Sequence, residues 1–195
     1  MDIRKSGRSD VAAIARIHAN SLPDDYLPSL GIEFLEKVYY PAKMKSPYAA
    51  TLAAYEDGQI AGFVTVVTDA NRFYREVIRS NLMTLVWYAF KAALKEPAHI
   101  LKTLEIFKNS MGTHDDPVAG EIELIAVDER YRGRGLGKAL VLAALQYLSE
   151  KGIRQCRTKT LASNLNVIGM YAKMGWSIRD RFRLIGREYV TIVSQ

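Results

Sequence analysis

Cysteine is almost missing from this chain of 195 residues. The single one, Cys156, excludes an intramolecular disulfide framework and any Cys-rich zinc module. The three histidines, His18, His99 and His114, are scattered without ligand-like spacing, so no metal site is expected. Long apolar runs are lacking too. The densest stretch, Leu82-Met83-Thr84-Leu85-Val86-Trp87-Tyr88-Ala89-Phe90, falls far short of the roughly 20 residues of a spanning helix. Lys91 and Lys95 close it, and stable membrane insertion is not expected. Met1-Asp2-Ile3-Arg4-Lys5 offers no apolar stretch of the kind a secretory signal needs, which points to a cytoplasmic protein. Internal repeats, low-complexity stretches and linkers are absent.

What remains is ordinary globular material, with 49% hydrophobic and 25% charged residues. The length predicts a single domain spanning 1–195 with a sizeable core, carrying an insertion at about 72–110. The net charge is +6, and it is uneven. From Glu129 to Gln195 there are 13 Lys/Arg against 4 Asp/Glu, whereas residues 1–128 hold 14 basic and 17 acidic side chains. An anion site is therefore to be sought in the C-terminal third.

Hydrophobic periodicity gives the elements. A short strand around Ile3 precedes a helix with Asp10 as N-cap and Val11, Ile14, Ile17 and His18 on one face. Leu22 to Leu30 reads as a loop, and a second helix carries Phe34, Leu35, Val38 and Tyr39. Strands at Ala50 to Tyr55 and Ile60 to Thr68 flank Asp57-Gly58, a hairpin signal because both residues tolerate positive φ. Helices are expected at Tyr74 to Lys95 and Ala98 to Asn109, divided by Glu96-Pro97, then a polar loop at Thr113 to Pro117. The apolar stretch around Trp87 reads as a helix packed on the domain, a lid over a substrate site, or a face docking a membrane or a second copy in a homodimer. A strand from Glu121 to Val127, a helix ending at Gly152, a strand from Cys156 to Leu161, a helix from Asn164 to Met174 and two final strands complete the chain.

The chemistry concentrates where the strand Leu124-Ile125-Ala126-Val127 feeds Arg130-Tyr131-Arg132-Gly133-Arg134-Gly135-Leu136-Gly137-Lys138. Glycines let backbone N–H groups approach an anion, and the helix N-terminus adds its positive dipole end. A P-loop fails, since Arg132 stands where the first glycine belongs and Ala139 follows Gly137-Lys138 where Ser or Thr is needed. A dinucleotide fingerprint starting at Gly133 fails at Lys138.

Arg132-x-x-Gly135-x-Gly137 resembles instead the acetyl-CoA signature of the GNAT superfamily of N-acetyltransferases. Tyr131-Arg132-Gly133 leads into it, and Asn164, seven residues before Tyr171, is followed by Lys173-Met174-Gly175-Trp176 in the family's order. The resemblance covers roughly Glu121 to Trp176. It implies an α/β fold of α+β type, a mixed and mostly antiparallel sheet with splayed central strands and helices on both faces. It implies that the backbone of Ile125, Ala126 and Val127 pairs with the pantetheine arm of acetyl-CoA. Arg132, Gly133, Arg134, Gly135, Leu136, Gly137 and Lys138 would hold the pyrophosphate, and Asn164 would contact the cofactor near its pantetheine end. Tyr171 falls where many members place the proton donor to the departing thiolate, and Val127 N–H is the matched donor to the carbonyl oxygen.

The acceptor partner implied is an amine, which is mostly protonated near neutral pH and must lose a proton to attack. Glu123 is the favoured base, read on the same alternating face as Ile125 and Val127 with Glu121 one step further out; a plain surface carboxylate or an Arg partner is its bland alternative. Tyr171 has a bland alternative as a core tyrosine, and Cys156 lacks the neighbouring base an acyl-accepting thiol would need. At the level of function, an acetyltransferase competes with a catalytically silent acyl-CoA-binding module. Nucleic-acid binding is disfavoured, since no helix-turn-helix or RNA-binding motif stands out and aromatics do not interleave with the basic run. The stretch from about Arg72 to Ser110 exceeds the short connection of minimal members and is expected to shape acceptor choice.

Overall fold

A computed structural model describes residues 1–23, 25–95, 105, 118 and 120–194. The predicted helix at 98–109, apart from Glu105, and the loop at 113–117 lie outside the described residues. Seven strands form one sheet in the order β1-β2-β3-β4-β5-β7-β6. They are β1 (Asp2–Lys5), β2 (Ala49–Glu56), β3 (Gln59–Val67), β4 (Gly120–Val127), β5 (Cys156–Leu161), β6 (Ser177–Leu184) and β7 (Arg187–Val193). Every neighbouring pair is antiparallel except β4 and β5. The β2–β3 hairpin turns on Asp57 and Gly58, at φ 51° and 74°, the left-handed pair that a two-residue turn matched to strand twist requires.

Two apolar layers sandwich the sheet. Helix α6 (Leu136–Glu150) covers one face, burying Leu140, Val141, Ala144 and Leu148 against Val64, Val66 and Ile122. Helix α7 (Leu165–Lys173) joins this layer through Tyr171. The other face takes helix α1 (Val11–Ser21), whose Ile14 and Ile17 meet Phe34, Leu35, Val38, Phe63, Leu124 and Ala126. Full burial of each such side chain contributes about 1.5–3 kcal/mol.

The segment read as a loop at 22–30 contains a short helix, α2 (Tyr26–Ser29), begun by the Asp25 carboxylate accepting from Tyr26 N–H at 2.8 Å. Then α3 (Ile32–Phe34) runs through a π-helical turn (Leu35–Tyr39) into α4 (Tyr40–Lys45). Asp10 does not cap α1 with its side chain. Its carboxylate instead accepts from Gly7 N–H at 2.7 Å and the Tyr55 hydroxyl at 2.8 Å, tying the start of the helix to β2.

Helix α5 (Ala70–Lys95) starts four residues earlier than its apolar spacing predicts, and it breaks at Asn81, which leaves helical geometry. The Asn81 amide donates to the Val77 carbonyl at 3.0 Å, the local competition with the backbone that makes Asn a poor mid-helix residue. Only part of its apolar stretch packs on the domain. Leu85 and Tyr88 pack on the α1 layer, with Tyr88 edge-on to Phe34 at 5.4 Å. Leu82, Met83, Val86, Trp87, Phe90 and Leu94 are exposed. No helix among the described residues is long and apolar enough to cross a membrane.

Gly62 of β3 lies where a Cβ would stand 2.8 Å from the Ala126 carbonyl and 3.2 Å from Val127 Cα, both backbone atoms of β4. Gly62→Ala is therefore expected to destabilise the fold by about 1–3 kcal/mol, read as a lowered urea midpoint. An unchanged midpoint would contradict this packing.

Candidate active site

The parallel pairing of β4 and β5 is short: Gly120 with Cys156, Glu121 with Arg157 and Ile122 with Thr158. Beyond Ile122 the strands part, although β4 continues along β3 and β5 along β7. At the closed end, the Thr158 hydroxyl donates to the Ile122 carbonyl at 2.9 Å. Asp128 N–H donates to the Ala61 carbonyl at 2.9 Å, which fixes the alternation of the β3–β4 ladder. Leu124 and Ala126 turn their backbone groups to β3, while Ile125 and Val127 turn theirs into the gap. The structure thus brings Ile125 and Val127 to the gap but not Ala126, whose backbone faces β3 and whose side chain packs in the α1 layer.

The Gly-rich turn sits at the mouth of the gap. Asp128 caps a short 3-10 turn (Glu129–Tyr131), accepting from Arg130 N–H at 3.0 Å. Gly133 and Gly135 take φ 76° and 78°, and an added Cβ at either would meet nothing within 4 Å. The turn is open as well as left-handed. Gly135 is the N-cap of α6 and, like any glycine, offers no side chain to cap it. The first-turn N–H groups of Leu136, Gly137 and Lys138 thus point outward at the dipole's positive end, and no acidic side chain occupies that turn.

The cations are arranged unequally. Arg130 is tied to Asp128 at 2.8 Å and Arg134 lies 3.4 Å from Glu56. Arg132 folds back so that its Nε donates to the Val127 carbonyl at 3.0 Å, beside the Ser21 hydroxyl at 3.3 Å.

Tyr171 is the third part. Its side chain is fully buried, packed at 4.7 Å from the Trp176 ring, and its hydroxyl stands beside that of Thr158 without a hydrogen bond of good geometry among the described residues. Burial holds the phenol well above its ordinary range, opposed in part by the neighbouring Thr158 hydroxyl. The Tyr171 backbone is fixed by the helix end: Gly175 at φ 83° lets its own N–H bond Ala172 O at 3.0 Å and Trp176 N–H bond Tyr171 O at 3.1 Å. The Lys173-Met174-Gly175-Trp176 motif thus anchors Tyr171 at both its carbonyl and its ring.

Glu123 departs from the alternating reading. The β3–β4 register slips between Thr65 and Val66, leaving Glu123 as the extra residue of a bulge. Ile122, Ile125 and Val127 consequently pack in the α6 layer, whereas Leu124 and Ala126 pack in the α1 layer. Glu123 follows that second face, where it meets Thr65 at 3.4 Å and Tyr74 at 3.2 Å. It also forms an ion pair with Lys43, not with an arginine. The arginine belongs to Glu121, which holds Arg157 at 2.9 Å across the closed end of the gap.

Lys43 and Tyr74 have no site role in the sequence, and Tyr39 reads there only as part of an apolar helix face. One signal existed for Lys43: it lies four residues after Tyr39, in line with the apolar stripe Leu35, Val38 and Tyr39.

Asn164 is the N-cap of α7, with Oδ1 accepting from Val167 N–H at 3.4 Å. That leaves its Nδ2 as the group for a ligand. Cys156 is buried and its thiol is pushed up to about 12 by burial, which makes it a poor nucleophile. Among the described residues no group of His, Cys, Asp and Glu gathers as metal ligands do.

Since the Tyr171 hydroxyl has only the Thr158 hydroxyl beside it and no bond of good geometry, Tyr171→Phe is expected to leave the stability of the protein unchanged within about 0.5 kcal/mol, or to raise it. Chemical denaturation checks this; a loss above about 1 kcal/mol would reveal a partner inside the fold.

Comparison with known proteins agrees with this geometry. The structure is similar over 100% of its length, with a TM-score of 0.64 at 12% identity, to a ribosomal-protein-alanine N-acetyltransferase from Brucella melitensis, 99% of which is covered. It is similar with a TM-score of 0.61 at 14% identity to the ribosomal-protein-S18-alanine N-acetyltransferase of Escherichia coli, over 98% of this chain and 91% of that one. In sequence, 68 residues are 38% identical to a mycothiol acetyltransferase of Amycolatopsis mediterranei. That match takes in 35% of this chain and 23% of the relative, so the chain spans about a quarter of the length of such curated relatives. Residues 12–176 match the acetyltransferase (GNAT) family throughout. With its splayed parallel strands and glycine-rich turn, the chain belongs to the GNAT acetyltransferase family.

Proposed function

We propose that this chain transfers the acetyl group of acetyl-CoA to a primary amine by direct attack within a ternary complex. One observation carries the reading: a buried phenol, that of Tyr171, beside the Thr158 hydroxyl at the closed end of a gap whose mouth is an open glycine-rich turn. The residues fit the group. Gly133 to Lys138 offer N–H donors and cations to a pyrophosphate, Ile125 and Val127 offer unpaired strand edge to an amide-bearing arm, and Asn164 Nδ2 stands at the start of α7. Bound there, acetyl-CoA supplies an activated thioester.

The chain's own groups then divide the work. Val127 N–H turns into the gap, where it can stabilise charge developing on the carbonyl oxygen. Glu123 takes the proton the amine sheds, directly or through water, as nitrogen bonds the carbonyl carbon. Tyr171 gives a proton to sulfur as the carbon–sulfur bond breaks. The acceptor approaches from the α1 layer, the side on which Glu123 emerges. The insertion frames that side: Tyr74 bonds Glu123, Tyr88 packs on Phe34, and Glu105 accepts from Ile185 N–H at 2.8 Å in the β6–β7 turn. The relatives carry names of different acceptors, which supports transfer as the shared activity.

Calorimetry should show acetyl-CoA binding, and a panel of alkyl amines, amino sugars and peptides with free amines should release CoA thiol. Tyr171→Phe is expected to lower kcat by about 100-fold or more while changing acetyl-CoA affinity less than about threefold. No binding at millimolar acetyl-CoA would overturn the proposal, and tight binding without thiol release would mark a silent binding module. Tyr88→Ala should reorder the panel without weakening acetyl-CoA binding; an unchanged order would remove the insertion from acceptor choice.

A further inference from the structure

Lys43 is a fully buried lysine at the inner edge of the acceptor side. A buried ammonium is retained only when its charge is met, and here it is met on three sides. Its Nζ pairs with the Glu123 carboxylate, and it stands 4.8 Å from the Tyr39 ring centre and 4.5 Å from that of Phe73. The ring faces are the electron-rich walls that an ammonium favours. The second Glu123 oxygen is bonded by Tyr74 from α5. The carboxylate is thereby held from α4 and from the insertion at once, one residue beyond the last β4–β5 pair. A loose side chain on a bulge would not keep one direction; this one is clamped.

We propose that Lys43 is the positioning residue of the acceptor side, fixing the Glu123 carboxylate in the direction from which it takes the amine's proton. The inference rests on the proposed role of Glu123. Other titratable groups face the same carboxylate: Tyr39 and Tyr40 from the helical segment and Tyr74 from α5, all kept neutral by burial and by the Glu123 charge. Behind Tyr40 stand His18, 2.9 Å from its hydroxyl, and Asp25; behind Tyr74 stands the Glu121–Arg157 pair. Among the described residues, Lys43 is the cation in contact with Glu123.

The test uses the full chain and the best amine of the panel, with kcat measured against pH for wild type, Lys43→Met, Lys43→Arg, Tyr74→Phe and Glu123→Gln. Melting temperature and acetyl-CoA affinity are recorded for each. Lys43→Met should lower kcat near neutral pH about tenfold or more and move the acid limb upward, since it removes the cation in contact with the carboxylate. Acetyl-CoA affinity should hold, and Lys43→Arg should return the limb toward wild type. A folded Lys43→Met with the wild-type limb, alongside an inactive Glu123→Gln, would overturn the positioning role alone. A Glu123→Gln with wild-type kcat would overturn the base role and this inference together. If Lys43→Met does not fold, Tyr74→Phe decides: a limb shifted upward supports the clamp, and an unmoved limb overturns it.

Discussion

Everything at this site depends on where one pair of parallel strands stops pairing. β4 and β5 share three residue pairs and then separate, each held to its outer neighbour. The cause is local. The extra residue at Glu123 bends β4 immediately after Ile122, and the Thr158 hydroxyl seals the last pair from the β5 side. Past that point the inner edge of β4 carries backbone groups without a strand to receive them, and buried backbone groups demand partners. The Arg132 side chain and the Ser21 hydroxyl meet the Val127 carbonyl. A slot for an amide-rich ligand follows from the register, before any side chain acts.

The same bulge decides which sides the two proposed proton-transfer groups come from. Tyr171 approaches with the α6 layer, while Glu123 turns to the α1 layer, so the two proposed groups stand on opposite faces of the sheet. Each is fixed by means that suit its charge. The neutral phenol is held by packing and a glycine-closed helix end, the carboxylate by a buried ammonium and a hydroxyl. Breaking a buried ion pair by removing one partner costs about 3–5 kcal/mol. The clamp on Glu123 and the Glu121–Arg157 pair therefore both resist drift in the geometry of the closed end.

Much of this was legible in the residues. The hairpin followed from Asp57-Gly58, the glycine-rich turn opening α6 from Gly133 to Lys138, and the end of α7 from Gly175, because each rests on local backbone conformations that glycine marks. Three things escaped. The bulge at Glu123 has no composition signal, since Ile-Glu-Leu alternates like a regular strand and the slip arises only against Thr65 and Val66. The service of Lys43 to Glu123 depends on packing α4 against β4 across a long sequence separation. The basic excess of the C-terminal third was legible as an anion site, yet Arg130 and Arg134 partly spend their charge on Asp128 and Glu56. These two pairings depend on side-chain placement, which a charge count does not carry.

The central claim, that the opening between β4 and β5 is the acetyl-CoA slot, is tested most directly by residue-resolved amide exchange in the presence and absence of CoA. The account predicts slowed exchange at Ile125 and Val127 and in the first turn of α6 at Leu136, Gly137 and Lys138, with β1 and the outer strand β6 unchanged. Protection confined to β6 and β7, or none along β4, would contradict it.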